Sequence, residues 1–369
     1  NGDLVDDVAQ EGRWLGTGLY NNHSKILVRL LSRNTNDRFD QGFWRRRLRY
    51  ALDYRKTVMG PDYACCRLIF GEADQFPGLT VDRFGDILVT EVLSLGMEVR
   101  KDLLYPLLVD LLREDGVTVR AIYERSDAPL RDKEGLPKVT GFYPLPGLAT
   151  DLDGHLLLEE NGIRYDVDYI HGQKTGFFLD QKYNRRAAAA LAPGRKVLDC
   201  FTHTGAFALN CAQAGAAQVT AVDISQEAVA LTQRNAALNG LEGKVEARQA
   251  DVFDLLTQLA QAGGHPYDYI ILDPPAFTKS GTTVKNAFRG YKEINYKAMK
   301  LLPRGGYLAT CSCSHFMTPA LFCQMLREAA ADAAVSLRQI ADRRQAPDHP
   351  ILWGVPETEY LKFYLFQVI

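Results

Sequence analysis

The sequence has no long apolar run, no excess of one charge and no cysteine-rich segment. None of its apolar runs reaches the roughly 18 residues that a membrane-spanning helix requires, and no signal peptide is recognisable. We therefore expect a cytoplasmic protein with no membrane partner. The first residue is Asn1, and a strand-like pattern is already under way there, which predicts that residues are missing from the N-terminus.

Charge and cysteine content exclude two further classes of protein. The 43 basic and 45 acidic residues give a formal net charge of −2, which argues against a strongly basic nucleic-acid binder and leaves only local basic patches open. Seven cysteines are too few for a disulfide scaffold in a chain of 369 residues. The close neighbours, Cys65-Cys66 and Cys311 with Cys313, lack metal-ligand spacing, so we expect reduced thiols and no bound metal.

The length predicts two or three domains, and the local patterns divide the chain into three segments. Residues 1–33 contain short alternating strands, typical of part of a small β-barrel. Residues 34–170 mix strands and helices and are expected to form a central α/β domain. A β-hairpin is predicted near 156–169, because Asn161-Gly162 is a strong turn signal. Residues 171–369 are expected to form the last domain.

The last segment alternates short buried strands with helices from about residue 194, which predicts a doubly wound parallel sheet. Two final strand signals, Ser336–Ile340 and Tyr360–Val368, are not separated by a clear helix and are expected to pair antiparallel at the sheet edge. The other predicted strands are Val197–Cys200, Val219–Val222, Val245–Ala247, Tyr269–Leu272 and Tyr307–Thr310, and the predicted helices are Ala206–Ala214, Gln226–Leu238, Val252–Gln261 and Tyr291–Leu301.

Acidic residues follow four successive strands of this predicted sheet: Asp199, Asp223, Asp251 and Asp273. Because parallel strands end at the same edge of a sheet, we expect the four carboxylates to line one ligand site. Any one of them alone could be a helix N-cap. Together they favour a nucleoside site, in which Asp223 binds the ribose hydroxyls and Asp251 lies near the adenine amino group.

The residues after the first strand decide between two nucleoside ligands. NAD binding typically uses G-x-G-x-x-G at this turn, whereas the stretch from Asp199 to Ala206 contains only Gly205. Asp199 would also repel a pyrophosphate. The same carboxylate favours a ligand with a cationic sulfonium and an ammonium group, so the predicted cofactor is S-adenosylmethionine (SAM).

These motifs, ending with Asp273-Pro274-Pro275-Ala276-Phe277, resemble those of class I (Rossmann-like) SAM-dependent methyltransferases. The stretch from His171 to Arg185 resembles, more specifically, the bacterial family of 23S rRNA large-subunit cytosine-C5 methyltransferases. Residues 1–33 look like the end of that family's PUA domain, an RNA-binding β-barrel, and residues 72–83 look like the start of its central domain. The resemblance implies a class I methyltransferase domain that follows a central α/β domain and a partial PUA-like barrel.

The resemblance also implies that the segment around Phe177 and Gln181 lies over the cofactor. With the strand-end motifs and their neighbours, the predicted cofactor-binding residues are Phe177, Gln181, Asp199, Phe201, Thr202, Gly205, Asp223, Ile224, Asp251, Val252 and Asp273.

A cysteine at the end of the fifth strand indicates the chemistry. C5 of cytosine is a poor nucleophile, and a thiolate that adds at C6 makes C5 enamine-like and able to accept a methyl group. By the resemblance, Cys313 is the expected nucleophile, with Cys311 as the alternative, and Asp273 is expected to hydrogen-bond the base. His315 is considered as an aid to thiol ionisation. Ala276 stands where many such enzymes have a second cysteine, so the base that removes the C5 proton stays unassigned.

Two basic segments with interleaved aromatics are candidates for RNA contact. They are Arg45–Lys56 and Lys279–Lys292, the latter with Lys279, Lys285, Arg289 and Lys292; a solvated helix face is the alternative for the first. We expect large-subunit rRNA as substrate and consider a homodimer. Two other functions stay open: methylation of a guanine ring nitrogen, which needs no thiol, and a non-catalytic RNA-binding assembly protein.

Overall fold

The computed structural model describes residues 1–278 and 280–369, and the chain folds into two compact units. Both units are built from separate stretches of the chain. The first unit comprises Asn1–Leu158, Val167–Leu179 and Pro347–Thr358; the second comprises Glu159–Asp166, Asp180–Ala346 and Glu359–Ile369.

The first unit contains two sheets. A three-stranded antiparallel sheet has the order β1-β2-β3, and a five-stranded mixed sheet has the order β4-β5-β6-β7-β8. Their strands are β1 Leu4–Val8, β2 Trp14–Tyr20, β3 Val28–Ser32, β4 Cys65–Phe70, β5 Leu79–Phe84, β6 Ile87–Val92, β7 Ala121–Ser126 and β8 Val139–Phe142. The helices are α1 Gln41–Met59, α2 Leu95–Glu98, α3 Lys101–Glu114 and α4 Leu130–Lys133.

The boundary between the units passes through a β-hairpin. Its strands are β9 His155–Glu160 and β10 Ile163–Asp168. Asn161 and Gly162 have φ angles of 55° and 76°, the left-handed conformation that a two-residue hairpin turn requires. The hairpin predicted from Asn161-Gly162 is confirmed.

The second unit is a seven-stranded sheet flanked by helices. The strand order is β13-β12-β11-β14-β15-β17-β16, and only β17 runs antiparallel to its neighbours. The strands are β11 Lys196–Cys200, β12 Gln218–Asp223, β13 Val245–Gln249, β14 Tyr269–Leu272, β15 Tyr307–Ser312, β16 Leu337–Arg343 and β17 Lys362–Val368. The helices are α5 Lys182–Ala189, α6 Ala206–Gln213, α7 Gln226–Leu238, α8 Val252–Ala262, α9 Val284–Leu301 and α10 Pro319–Asp332.

The predicted doubly wound sheet and its antiparallel edge are thus confirmed, with three corrections to the helices. The helices α5 and α10 were not predicted, although Thr318 caps α10 and Pro319 occupies its first turn, which is a standard start signal. Helix α9 begins at Val284, seven residues before the predicted start at Tyr291. Lys279 lies outside the described residues.

A continuous apolar core fixes the sheet against three helices. Residues of β11, β14 and β15 pack with α8, α9 and α10, for example Leu272 with Ile294 and Met325. All three side chains are fully buried. The carboxyl ends of the central strands are therefore held rigidly at one edge, where the predicted site lies. None of the helices in the described ranges is long and apolar enough to cross a membrane.

Candidate active site

The strand-end acids meet at one edge of the second unit, as predicted. Strands β13, β12, β11 and β14 are adjacent and parallel, so the residues that end them face the same side of the sheet edge. The two central strands carry Asp199 and Asp273, and the two outer strands lead to Asp223 and Asp251.

Asp199 is buried and only half satisfied. Its Oδ2 accepts hydrogen bonds from Thr202 Oγ1 at 2.6 Å and from the Ala208 backbone N–H at 3.1 Å. Its Oδ1 has no hydrogen-bond partner among the described residues, although the side chain is 1% exposed. Burial, followed by the charge of Asp273, raises the pKa of Asp199 to about 7. A buried acceptor of this kind calls for a cationic donor, and the ammonium group of SAM fits it.

The turn between β11 and α6 is strained in the way that a tight ligand loop requires. Phe201, His203 and Gly205 all have positive φ angles, of 63°, 53° and 80°. A Cβ atom on Gly205 would lie 2.7 Å from Thr232 Cγ2, so no larger residue fits there. Such strain persists only where neighbouring groups hold the backbone. Here the His203 N–H donates to Asp223 Oδ2 at 2.9 Å.

The two outer acids are already bonded to the backbone. Asp223 accepts from the N–H groups of His203 and Ser225, and it is half-buried. Asp251 is the N-cap of α8 and accepts through Oδ1 from the N–H groups of Phe253 and Asp254. The helix-cap interpretation therefore describes Asp251 correctly, and any adenine contact adds to that role.

Asp273 lies in a polar cluster with two other predicted groups. Gln181 Nε2 donates to Asp273 Oδ1 at 3.1 Å, and the Cys311 thiol also hydrogen-bonds this carboxylate. Burial, followed by the nearby Asp180 carboxylate, raises the pKa of Asp273 to about 6. Burial and the adjacent Asp273 charge raise the pKa of the Cys311 thiol far above its usual range. Cys311 is thus a neutral donor to Asp273.

Cys313 differs from Cys311 in its setting. The strand ends at Ser312, so Cys313 begins the following loop and is half-buried, whereas Cys311 is fully buried. The amine of Lys362 donates at 2.6 Å to the backbone carbonyl of Ser314, the next residue. His315 is exposed and packs edge-on against Phe316. The sequence analysis did not identify Lys362. The local signal for it is a lysine at the start of a mostly apolar strand.

The remaining predicted cofactor residues divide into three settings. Ile224 is 66% exposed at the end of β12, a position open to a planar ligand, whereas Val252 is buried in the core. Phe201 is half-buried and packs edge-on against Phe277, with ring centroids 6.5 Å apart. Phe177 is buried within the first compact unit, and its predicted contact with the cofactor stays a prediction.

The two basic segments differ in what their cations contact. On α1, Arg45 bonds to Glu114, while Arg49 and Lys56 bond to Asp115, at 2.8 Å and 3.1 Å. These bonds join α1 to the end of α3, so the first segment is largely structural.

On α9, Lys292 pairs with Glu328 and Asp332, at 3.3 Å and 2.9 Å. Lys285 and Arg289 are exposed, and within the described residues neither forms an ion pair. The start of α9 therefore keeps two unpaired cations on the surface.

Comparison with known proteins agrees with this geometry. Residues 150–367 match the family described as S-adenosylmethionine-dependent methyltransferase, and residues 1–33 match a PUA-like domain. A solved structure from Streptococcus mutans, classed as a SAM-dependent methyltransferase, superimposes with a TM-score of 0.84 at 22% identity, covering 100% of this chain and 92% of that one. Another solved methyltransferase, in complex with SAH, has a TM-score of 0.84 at 21% identity, with the same coverage. These structures confirm the predicted fold.

The relatives found by sequence comparison are more similar to this chain than the solved structures are. A ribosomal RNA large subunit methyltransferase I from Shewanella denitrificans is 42% identical over 98% of this chain and 89% of its own length. The protein of the same name from Escherichia coli is 39% identical over 100% of this chain and 91% of its own length. The chain therefore belongs to the S-adenosylmethionine-dependent methyltransferase family, together with the ribosomal RNA large subunit methyltransferases I.

Proposed function

We propose that this protein forms 5-methylcytosine in large-subunit ribosomal RNA, with Cys313 as the nucleophile. The observation that carries the proposal is the position of Cys313, a half-buried thiol that directly follows β15, the strand adjacent to β14, which Asp273 follows. The ribosomal RNA substrate is taken from the names of the relatives.

The strand-end residues are assigned to cofactor binding as follows. Asp199 Oδ1 accepts from the ammonium group, Asp223 binds the ribose hydroxyls, and the exposed face of Ile224 packs against the adenine ring. The turn of Phe201, Thr202 and Gly205, with Asp251, Val252 and Gln181, completes the proposed site within the second unit. The orphaned Oδ1 of Asp199 supports the first assignment, because it is a buried acceptor that the protein leaves unsatisfied.

The chemistry follows from the two groups on the neighbouring strands. The Cys313 thiolate forms a bond to C6 of cytosine, which makes C5 nucleophilic. Bound SAM supplies the electrophilic methyl group. The C5 proton then leaves to a base, the bond between C6 and Cys313 breaks, and the aromatic ring is restored. Asp273 accepts a hydrogen bond from the cytosine amino group and fixes the ring between thiol and methyl.

The RNA contact is assigned to the surface next to this site. The target base has to be unstacked before its C5 and C6 atoms can be reached. Lys285 and Arg289 lie on the first two turns of α9, which follow the segment after Asp273, and both are available to bind phosphate. The PUA-like residues 1–33 are proposed as a further RNA contact, in a three-domain arrangement with boundaries near residues 34 and 171.

Replacement of the two cysteines tests the proposal. With 23S rRNA that lacks the modification and tritiated SAM, Cys313→Ser is expected to abolish methyl transfer, while Cys311→Ser retains a measurable rate. Mass spectrometry of the RNA product identifies the methylated base. Full transfer by the double variant would contradict the thiol mechanism, and a methylated guanine would establish the nitrogen-directed alternative.

A substituted RNA gives a second test that does not depend on a loss of activity. When C5 of cytosine carries fluorine, the proton that must leave is absent, so the adduct between C6 and the thiol cannot resolve. Incubation with SAM should therefore give a stable protein–RNA adduct, whose peptide digest places the nucleotide on Cys313. An adduct on Cys311 would exchange the roles of the two cysteines, and no adduct would argue against covalent catalysis.

A further inference from the structure

Lys362 is a cation buried in a place where the fold has no need of one. It begins β17, pairs in register with Ser312 of β15 and is 1% exposed. Lysine is rarely buried to this extent unless it is paired, because desolvation of the ammonium group is costly. The other residues of β17 are almost all apolar and buried, so an apolar side chain would suit this position as well.

The hydrogen bonds of Lys362 hold its amine beside Cys313. Nζ donates to the carbonyl oxygens of Ser314 and Tyr360, both at 2.6 Å. An ammonium group has three N–H donors, so one is left for a further acceptor. No carboxylate of the described residues lies within ion-pair distance of Nζ. Glu359, an acid whose charge raises the pKa of Lys362, is bonded to Arg344 at 2.7 Å.

Two other described groups that interact with Cys313 are uncharged. Tyr291 on α9 is neutral, because burial raises the pKa of its hydroxyl, and the raised pKa of Cys311 keeps that thiol neutral. Asp273 is an acid, and its charge disfavours a thiolate. Lys362 is a cation whose charge acts on Cys313, while Arg344, which lowers the pKa of Lys362, is itself paired with Asp342 and Glu359.

We propose that Lys362 is a positioning residue that holds Cys313 in its thiolate form, ready to add to the base. The thiol proton of Cys313 leaves to solvent, and the ammonium group of Lys362 stabilises the thiolate that stays beside it. When the thiolate is released from C6 at the end of the reaction, the same pair is restored. The inference rests on the proposed function for its catalytic meaning, whereas the thiolate pair itself can be measured without RNA.

Burial lowers the pKa of Lys362 to about 8, and the charge of Cys313 counteracts part of that shift. Because this pKa lies above neutral pH, most of the Lys362 amine carries its proton at pH 7, and the charge of a Cys313 thiolate favours that protonated form. The same interaction works on the thiol, because a cation within about 4–6 Å typically lowers an acid's pKa by about 1–3 units.

The test is the pH dependence of Cys313 alkylation by iodoacetamide in the full chain, followed by peptide mass spectrometry. In the unmodified protein, the alkylation midpoint is expected at least one unit below the ordinary thiol pKa of about 8.5. Lys362→Met should move the midpoint upward by one unit or more and slow alkylation at pH 7 about tenfold. Lys362→Arg should restore most of the shift. SAM binding by calorimetry controls for folding, because the acids that bind SAM lie on other strands.

Two outcomes overturn the inference: a midpoint at or above 8.5 in the unmodified protein, or the same midpoint in Lys362→Met with intact SAM binding. The first outcome is measured on the unmodified protein, so it tests the inference even where the variant fails to fold. Failure of the proposed function looks different, because methyl transfer would then survive in Cys313→Ser while the alkylation midpoint still responds to Lys362.

Discussion

The acids at the sheet edge fall into an inner pair, on the two central strands, and an outer pair, on the two outer strands. The two pairs have the same side chain but differ in burial and hydrogen bonding. Asp199 and Asp273, on the two central strands, are desolvated, and their pKa values are raised to about 7 and about 6. Asp223 and Asp251, on the outer strands, are fixed by backbone N–H groups. The outer acids are anchored by the backbone without a ligand, whereas Asp199 keeps a buried oxygen that has no partner among the described residues. Asp199 is therefore the acid of this edge whose hydrogen bonding a ligand would complete.

Replacement of Asp273, an inner acid, is expected to have the largest effect, which is a loss of methyl-transfer rate. Asp273→Ala removes the acceptor for the cytosine amino group, and loss of one positioned hydrogen bond at a reacting centre costs on the order of 10²–10³ in rate. Single-turnover methyl transfer measures the effect, and SAM affinity by calorimetry serves as the control. A rate within tenfold of the unmodified protein would show that Asp273 does not hold the base.

Asp199 and Asp223 form a matched pair for cofactor affinity. Asp199→Asn keeps the shape and removes the charge that meets the ammonium group, so the Kd for SAM should rise about 100-fold, because hydrogen bonds to charged groups contribute roughly 1.5–3 kcal/mol. Asp223→Asn keeps an acceptor for the ribose and should cost about tenfold. Calorimetric titration measures both values. Equal losses would remove the distinction between inner and outer acids.

The raised pKa of Asp199 makes cofactor binding depend on pH. SAM requires the ionised carboxylate, so its affinity should fall about tenfold between pH 8 and pH 6, and binding at pH 7 should release about half a proton. Calorimetry in two buffers of different ionisation enthalpy measures this release. Asp199→Asn should abolish most of the release and Asp223→Asn should leave it intact. If SAM binding still released a proton in Asp199→Asn, the proton would come from another group, and Asp273 would be the next candidate.

The same shift acts on the stability of the cofactor-free protein in the opposite direction. The pKa of Asp199 is higher in the folded chain than the value of about 3.9 in an unfolded one, so folding takes up a proton between pH 4 and pH 7. The contribution of Asp199 to the free energy of unfolding therefore falls as pH rises through that window. Urea unfolding at pH 6 and pH 8 should show Asp199→Asn gaining stability relative to the unmodified protein at the higher pH. If the difference in unfolding free energy between the two proteins were the same at both pH values, ionisation of Asp199 would not destabilise the folded chain.

Asp251 gives the smallest expected effect. Asp251→Ala removes the N-cap of α8, which costs about 1 kcal/mol of stability, and should weaken SAM binding only a few-fold. Urea unfolding and calorimetry separate the two losses. A loss of affinity as large as that of Asp199→Asn would place Asp251 with the inner acids.

Sequence patterns predicted the parts of the site that depend on chain order. Each of the four acids lies at the carboxyl end of its own strand or in the turn after it, and parallel strands bring such residues to one edge whatever the details of packing. The hairpin at Asn161-Gly162 was equally local. These features needed no knowledge of which distant residues meet.

The missed features depend on distant contacts. Lys362 lies beside Cys313 because β17 runs antiparallel next to β15. No residue spacing in the sequence predicts that pairing. The arginines of α1 resembled an RNA contact until Glu114 and Asp115 were found beside Arg45 and Arg49. Local charge patterns do not show whether a cation already has its partner.

The late position of β17 in the chain also affects folding. Strand β16 pairs only with β17, and β15 has β17 as its second neighbour. During synthesis, the five strands up to β15 can assemble with their acids in place, while β15 remains an open sheet edge until Lys362–Val368 has emerged. Such an edge invites pairing with other chains. A chain interrupted before Lys362 would keep most of the cofactor site and be prone to aggregation.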